Sequence, residues 1–139
     1  MDYTRRQTIL MALGATAAAL VLPQAARAAI DEAVAAFTGG AEIGSEGITL
    51  TAPEIAENGN TVPIEVDAPG AVSIIVLAGG NPSPGVVTFN FGPLAAEQRA
   101  STRIRLATTQ DVHAIAKLAD GRFVQTSSEV KVTIGGCGG

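Results

Sequence analysis

The sequence predicts an all-β sandwich with a short helix before it and a glycine-rich arm after it. Three observations carry this reading. Beyond residue 60, apolar and polar residues alternate in several short runs, the period-two signature of half-buried strands. Turn residues separate those runs roughly every 8–12 positions, the spacing of a sandwich. No helical apolar period is long enough to cover a parallel sheet.

The chain has 139 residues, enough for one domain plus a targeting segment. It is 47% hydrophobic but only 4% aromatic, so its core must be built from Ala, Val, Ile and Leu. No internal repeat or linker divides it.

The first segment reads as an export signal. Arg5-Arg6 precede an apolar run from Ile9 through Leu22; Pro23 follows, then the small-x-small pattern Ala26-Arg27-Ala28. The paired arginines in Thr4-Arg5-Arg6-Gln7 resemble a twin-arginine signal, with Thr8 where that signal usually carries Phe. The apolar run is shorter than the ~20 residues a spanning helix needs, so no membrane span is expected in the mature chain. Cleavage is expected after Ala28. Residues 1–28 are then the signal, 29–134 the domain and 135–139 the arm, with the periplasm as destination. Of the 9 basic and 13 acidic residues, the signal holds Arg5, Arg6, Arg27 and Asp2. The mature chain therefore keeps 6 basic and 12 acidic residues, a net charge of −6. Such a balance argues against nucleic-acid binding, which needs a basic surface.

The elements follow in order. Asp31 is suited to cap a helix through Phe37, and Gly39-Gly40 stop it. Val62, Ile64 and Val66 share one face of a strand over Thr61–Asp67, where Pro63 predicts an edge or a bulge. Val72 to Leu77 is apolar on both faces, as a central strand buried on both sides requires. The run 79–85 (GGNPSPG) is a loop. Val87, Phe89 and Phe91 alternate with Thr88 and Asn90; Ile104 and Leu106 with Arg103 and Arg105; Val112, Ala114, Ala116 and Leu118 with His113 and Lys117. Asp120-Gly121 is a hairpin turn leading into Arg122–Gln125. A final strand alternates Val130, Val132 and Ile134 with Glu129, Lys131 and Thr133.

Several chemistries are excluded. One cysteine cannot form an internal disulfide or a Cys-cluster metal site, and one histidine cannot build a His-rich one. A thiol-based metal courier lacks ligands for the same reason. There is no P-loop, dinucleotide-binding glycine pattern or Ser-His-Asp order. No resident cofactor is expected.

The unusual feature is the end, Gly135-Gly136-Cys137-Gly138-Gly139. Glycine lacks a Cβ and has nothing to pack, so the segment reads as a flexible arm. Fully extended, it carries Cys137 roughly 10 Å beyond the strand. Its slimness suits a narrow cleft on another protein. The residues also allow a second reading, an exported interaction module that uses Cys137 for an intermolecular disulfide. On the carrier reading a disulfide-linked dimer is an off-state.

The pentapeptide, the export signal and the acidic strand-rich body resemble the SoxY family, the sulfur carriers of bacterial thiosulfate oxidation. The resemblance extends to the starting run Ile30-Asp31-Glu32-Ala33-Val34, to Glu57 through Ile64, and to the strand Val130–Ile134. It implies an immunoglobulin-like sandwich paired with a SoxZ-like small β-sandwich subunit. It implies that Cys137 carries the sulfur covalently, as cargo, while Gly135, Gly136, Gly138 and Gly139 form the carrier arm. It further implies three enzymes acting in turn. A haem-containing ligating enzyme joins thiosulfate to the thiol. A di-metal hydrolase releases sulfate. A sulfane dehydrogenase, where present, oxidises the remaining sulfane. The chain itself is then a carrier subunit and not an enzyme.

Nothing in the sequence places a base beside Cys137. A Cys–His pair needs hydrogen-bond geometry that a mobile arm holds poorly, so His113 is expected to be structural or surface. Arg103 and Arg105 share a face and can bind an anion, solvate the surface or contact a partner.

Overall fold

The computed structural model describes residues 25–134. Its first element is a helix, α1, over 25–38. Gly39 and Gly40 end it at φ of 67° and 82°, a left-handed backbone that residues with a Cβ adopt only at a cost. The Thr38 hydroxyl donates to the Val34 carbonyl at 2.9 Å and accepts from Gly40 N–H at 3.3 Å, closing the last turn. The stop thus falls where the glycines predict it. The start does not: Asp31 lies inside α1 and is not its N-cap, because Ala26, Ala28 and Ala29 are strong helix formers that extend the helix upstream.

Nine strands follow among the described residues: β1 (Ile43–Gly44), β2 (Thr49–Thr51), β3 (Ile55–Ala56), β4 (Val62–Asp67), β5 (Ala71–Ala78), β6 (Gly85–Asn90), β7 (Arg99–Ile104), β8 (Gln110–Leu118) and β9 (Phe123–Val132). They form two sheets. The larger has six strands in the order β1-β9-β8-β5-β6, with β3 also pairing β9; the smaller runs β2-β4-β7. The chain changes sheet at every step from β1 to β5, and again between β6 and β7 and between β7 and β8. This is an immunoglobulin-like β-sandwich with one short N-terminal helix.

Alternation sets which side chains enter the space between the sheets. Val62, Ile64 and Val66 of β4, Ile74 and Val76 of β5, Val112, Ala114 and Ala116 of β8, and Val130 of β9 are all buried there. The opposite face of β5 and β8 carries Ile75, Leu77 and Ile115, and α1 covers it with Ile30, Ala33, Val34 and Phe37. Those helical positions follow the i, i+3, i+4, i+7 spacing of one face. Phe37 also meets Phe123 edge to face, with ring centroids 5.7 Å apart. The doubly apolar run in β5 is therefore buried on both sides, as its sequence predicts. Gly79 is required at the end of this contact, since a Cβ there would stand 2.8 Å from Cγ1 of Ile30.

Four expectations need correction. The strand holding Pro63 is the middle one of its sheet. Pro63 is tolerated because β2 pairs only with Glu65 to Asp67, so at Pro63 the strand has a neighbour on the β7 side alone. Val72 is 40% exposed, because a bulge between Ala71 and Ser73 puts it out of phase with the rest of β5. Arg122–Gln125 and Glu129–Ile134 are not two strands: one ten-residue strand, β9, spans Phe123–Val132. Its polar middle is held by pairing with β8 from Lys117↔Phe123 to Gln110↔Val130. Ile134 continues the apolar phase but lies past the strand and is 66% exposed.

Candidate functional site

The last described residues, 131–134, are the root of the arm, and the chain around them is held on several sides. β3 runs parallel to the end of β9, with Ile55↔Lys131 and Ala56↔Val132 in register. Lys131 N–H donates to Glu54 O at 2.9 Å and Thr133 N–H to Ala56 O at 3.1 Å. The Thr109 hydroxyl accepts from Val132 N–H at 2.9 Å. Gly59 N–H then donates to Ile134 O at 2.9 Å, while Gly59 O accepts from Leu106 N–H at 2.8 Å. One residue thus ties the arm root to the end of β7.

Neighbouring loops are latched by neutral amides. Asn81 donates through Nδ2 to Arg105 O at 2.8 Å, and its Oδ1 accepts from Ala107 N–H at 2.9 Å and from Gln110 Nε2 at 3.0 Å. Gln110 Oε1 accepts from Gly80 N–H at 2.8 Å. These bonds fasten loop 79–84 to loop 105–110 at the end of the sandwich from which the arm departs.

Around the root the surface mixes apolar, cationic and acidic groups, with Lys131, Glu54 and Glu57 all exposed. Ile55 and Ile134 are exposed. Arg103 and Arg105 point outward while Ile104 and Leu106 fill the core. Arg103 reaches Thr61 Oγ1 at 3.4 Å, and neither arginine has a carboxylate within 4.0 Å among the described residues. Both line a cleft of about 360 Å³ between the edges of β6 and β7, opposite Val86 and Val87.

His113 lies elsewhere. It pairs across from Leu77 and Ser127 and lines a separate cavity of about 310 Å³ with Ile30, Asp31 and Gly79. Ser127 is about 20 Å along β9 from Ile134 at a strand's rise per residue. Arg105 immediately precedes Leu106, which Gly59 joins to Ile134, while His113 lies level with Ser127, seven residues back from Ile134. Cys137 and its flanking glycines 135, 136, 138 and 139 lie outside the described residues.

Sequence reasoning missed the residues that build the root. Gly59, Asn81, Thr109 and Gln110 act through hydrogen bonds to partners 23 to 75 positions away, which no local pattern encodes. No group of three or more His, Cys, Asp or Glu side chains among the described residues could hold a metal ion. No described helix is long and apolar enough to cross a membrane.

Fold and site together define a class: an immunoglobulin-like domain whose last strand runs, through a braced root, to the chain's only cysteine. Comparison with known proteins makes the class specific. The family model for the sulfur oxidation protein SoxY matches residues 34–137, a stretch that ends on Cys137, and the chain belongs to the SoxY family. It is similar to the structure of the sulfur carrier protein SoxY from Chlorobium limicola f thiosulfatophilum, with 37% identity and a TM-score of 0.67 over 78% of this chain and 99% of that one. It is also similar in fold to the superoxide reductase (neelaredoxin) from Ignicoccus hospitalis, at 19% identity and a TM-score of 0.55 over 68% of this chain and 84% of that one. At that identity the likeness shows shared architecture alone. No curated protein matched.

Proposed function

We propose that this chain carries sulfur intermediates covalently on Cys137 during periplasmic thiosulfate oxidation, as the SoxY-like half of a complex with a SoxZ-like subunit. The observation that carries the reading is the family match running through the body of the domain and ending on the chain's only thiol. The braced root supports it: a carrier needs a fixed base so that the thiol sweeps a small volume at high effective concentration.

The chemistry suits a single thiol. Joining a cysteine thiolate to thiosulfate through a new S–S bond removes two electrons, which the haem-containing enzyme takes up. Hydrolysis of the terminal sulfone then releases sulfate and leaves a persulfide on Cys137. The sulfane dehydrogenase oxidises that remaining sulfur. The chain supplies the attachment point and no catalytic group. The thiolate is the competent nucleophile. With no base beside it in sequence, activation falls to the enzyme cleft that receives the arm. The twin-arginine-type signal over 1–28 delivers the protein to the compartment where those enzymes work.

Intact mass of the protein taken from cells oxidising thiosulfate tests this reading. Mass increments of sulfur or thiosulfonate on the peptide 135–139 are expected. Disulfide dimers without such increments would overturn the carrier reading in favour of a cross-linking module.

A further inference from the structure

Asn58 and Gly59 form the one Asn-Gly pair among the four asparagines of the chain. In such a pair glycine puts no Cβ beside its backbone nitrogen, so that nitrogen can approach the preceding side-chain amide. Attack by Gly59 N on Asn58 Cγ needs an electrophilic amide carbon and a nitrogen free to lose its proton. The structure supplies the first and withholds the second. Asn58 is exposed, and its Oδ1 accepts from Asn60 N–H at 3.0 Å, which polarises the amide. Thr61 N–H donates to Asn58 O at 3.3 Å and closes the turn over 58–61. Gly59 is buried, and its N–H donates to Ile134 O at 2.9 Å.

The nucleophile is therefore held by the arm root. While that hydrogen bond stands, its proton lies between Gly59 N and Ile134 O, away from water and base. When the root opens, Gly59 N is released beside an amide that is already polarised. The reaction then balances with water as its sole co-reactant. Gly59 N loses its proton and bonds to Asn58 Cγ, and the side-chain nitrogen leaves as ammonia, closing a succinimide. Water opens the ring. Opening at Cγ gives aspartate. Opening at the main-chain carbonyl of Asn58 gives isoaspartate, in which the backbone runs through the side chain and gains one CH2, ~1.5 Å of chain. Gly59 then no longer stands where its N–H meets Ile134 O and its O meets Leu106 N–H. A carboxylate also appears beside Glu57.

We infer that Asn58-Gly59 is a deamidation site gated by the arm root: it is protected while Gly59 N–H is bonded to Ile134 O, and its conversion to isoaspartate when the root opens dismantles the clasp between Ile134 and Leu106. The modification accumulates with each opening and leaves the root less able to close again. The inference does not depend on what Cys137 carries.

The test incubates the full mature protein in mildly alkaline buffer beside a synthetic peptide of residues 54–61. Deamidation is read from the mass gained when the side-chain NH2 becomes OH, and isoaspartate from fragmentation of the peptide that contains it. The folded chain is expected to deamidate at Asn58 at least about tenfold more slowly than the free peptide, the factor for one net hydrogen bond that must open. A matching factor should appear as protection of Gly59 N–H in hydrogen exchange, because both reactions need the same opening. Thr109→Val removes the acceptor of Val132 N–H and should speed both reactions together. Urea raised in steps below the unfolding transition should do the same in the wild type, which keeps the test independent of the variant. In aged protein, the isoaspartate fraction should lose exchange protection at Leu106 N–H. Equal rates in protein and peptide would overturn the inference. So would a deamidation rate that fails to follow Gly59 exchange across the variant and the urea series, or isoaspartate formed with the protection of Leu106 intact.

Discussion

The two ends of the sandwich are built differently. At one end, the β8–β9 hairpin turns through Gly121 at φ 90°, and Arg122 pairs with Asp120 at 2.6 Å. Near it Arg99 bridges Glu65 at 3.3 Å and Asp67 at 3.6 Å. Charges there neutralise one another. At the arm end the loops are fastened by neutral groups, Asn81, Gln110, Thr109 and the backbone of Gly59, while Arg103 and Arg105 have no carboxylate partner among the described residues. The difference teaches that rigidity does not require spending charge. Bracing the root with amides and hydroxyls leaves Arg103 and Arg105 without a carboxylate partner among the described residues.

Substitutions at the two ends should separate these roles. The largest functional effect is expected at the arm: Cys137→Ser should abolish thiosulfate-dependent oxygen uptake while the thermal midpoint stays unchanged. Normal respiration in that variant would break the comparison, because the arm end would then have no special task. The largest stability effect is expected where the arm end meets the core. Leu106 is fully buried, and Leu106→Ala should cost roughly 2–5 kcal/mol in urea unfolding.

Asn81→Ala is expected next. It removes the acceptor of Ala107 N–H and the donor to Arg105 O, so a loss of about 1–3 kcal/mol should appear, with faster hydrogen exchange in loop 105–110. Arg99→Ala at the opposite end should cost no more than about 1 kcal/mol, since exposed ion pairs are worth little. A larger loss from Arg99 than from Asn81 would reverse the ranking of neutral over charged braces.

The smallest effect concerns Asp120. Its carboxyl is held below the usual value of 3.8, first by the backbone N–H of Arg122 and then by the Arg122 side chain. A depressed folded value means the contribution is present above the unfolded value and lost as pH falls through the folded one. The difference in stability between the wild type and Asp120→Asn should therefore shrink as pH drops below about 3.8, and stay constant above about pH 5. Urea midpoints across that range measure it.

Much of the domain was legible because its strands obey period two. The phases of β4, β8 and the second half of β9, the stop at Gly39-Gly40 and the turn at Asp120-Gly121 all follow from local chemistry. β1, β2 and β3 were not legible. Two or three residues each, they are strands only because β9 or β4 supplies partners, as in Ile43↔Phe123 and Leu50↔Val66. The middle of β9, Gln125 to Glu129, is too polar to announce a strand and is one because β8 lies beside it. Within the site, Cys137 and the outward pair Arg103 and Arg105 stood out by residue type and spacing. Gly59 and Asn81 did not, because their work is done on distant backbone.

The amino-acid sequence by itself determined which residues face the core, where the turns fall, and that the one thiol follows the last strand. Those are properties of neighbours along the chain: side-chain alternation, glycine's missing Cβ and residue count. Only the tertiary structure decided that α1 covers β5 and β8, that Pro63 sits in a middle strand beyond the reach of β2, and that Gly59 joins Ile134 to Leu106. Each of those depends on hydrogen bonds or contacts between segments far apart in sequence, formed only once the two sheets have closed on each other.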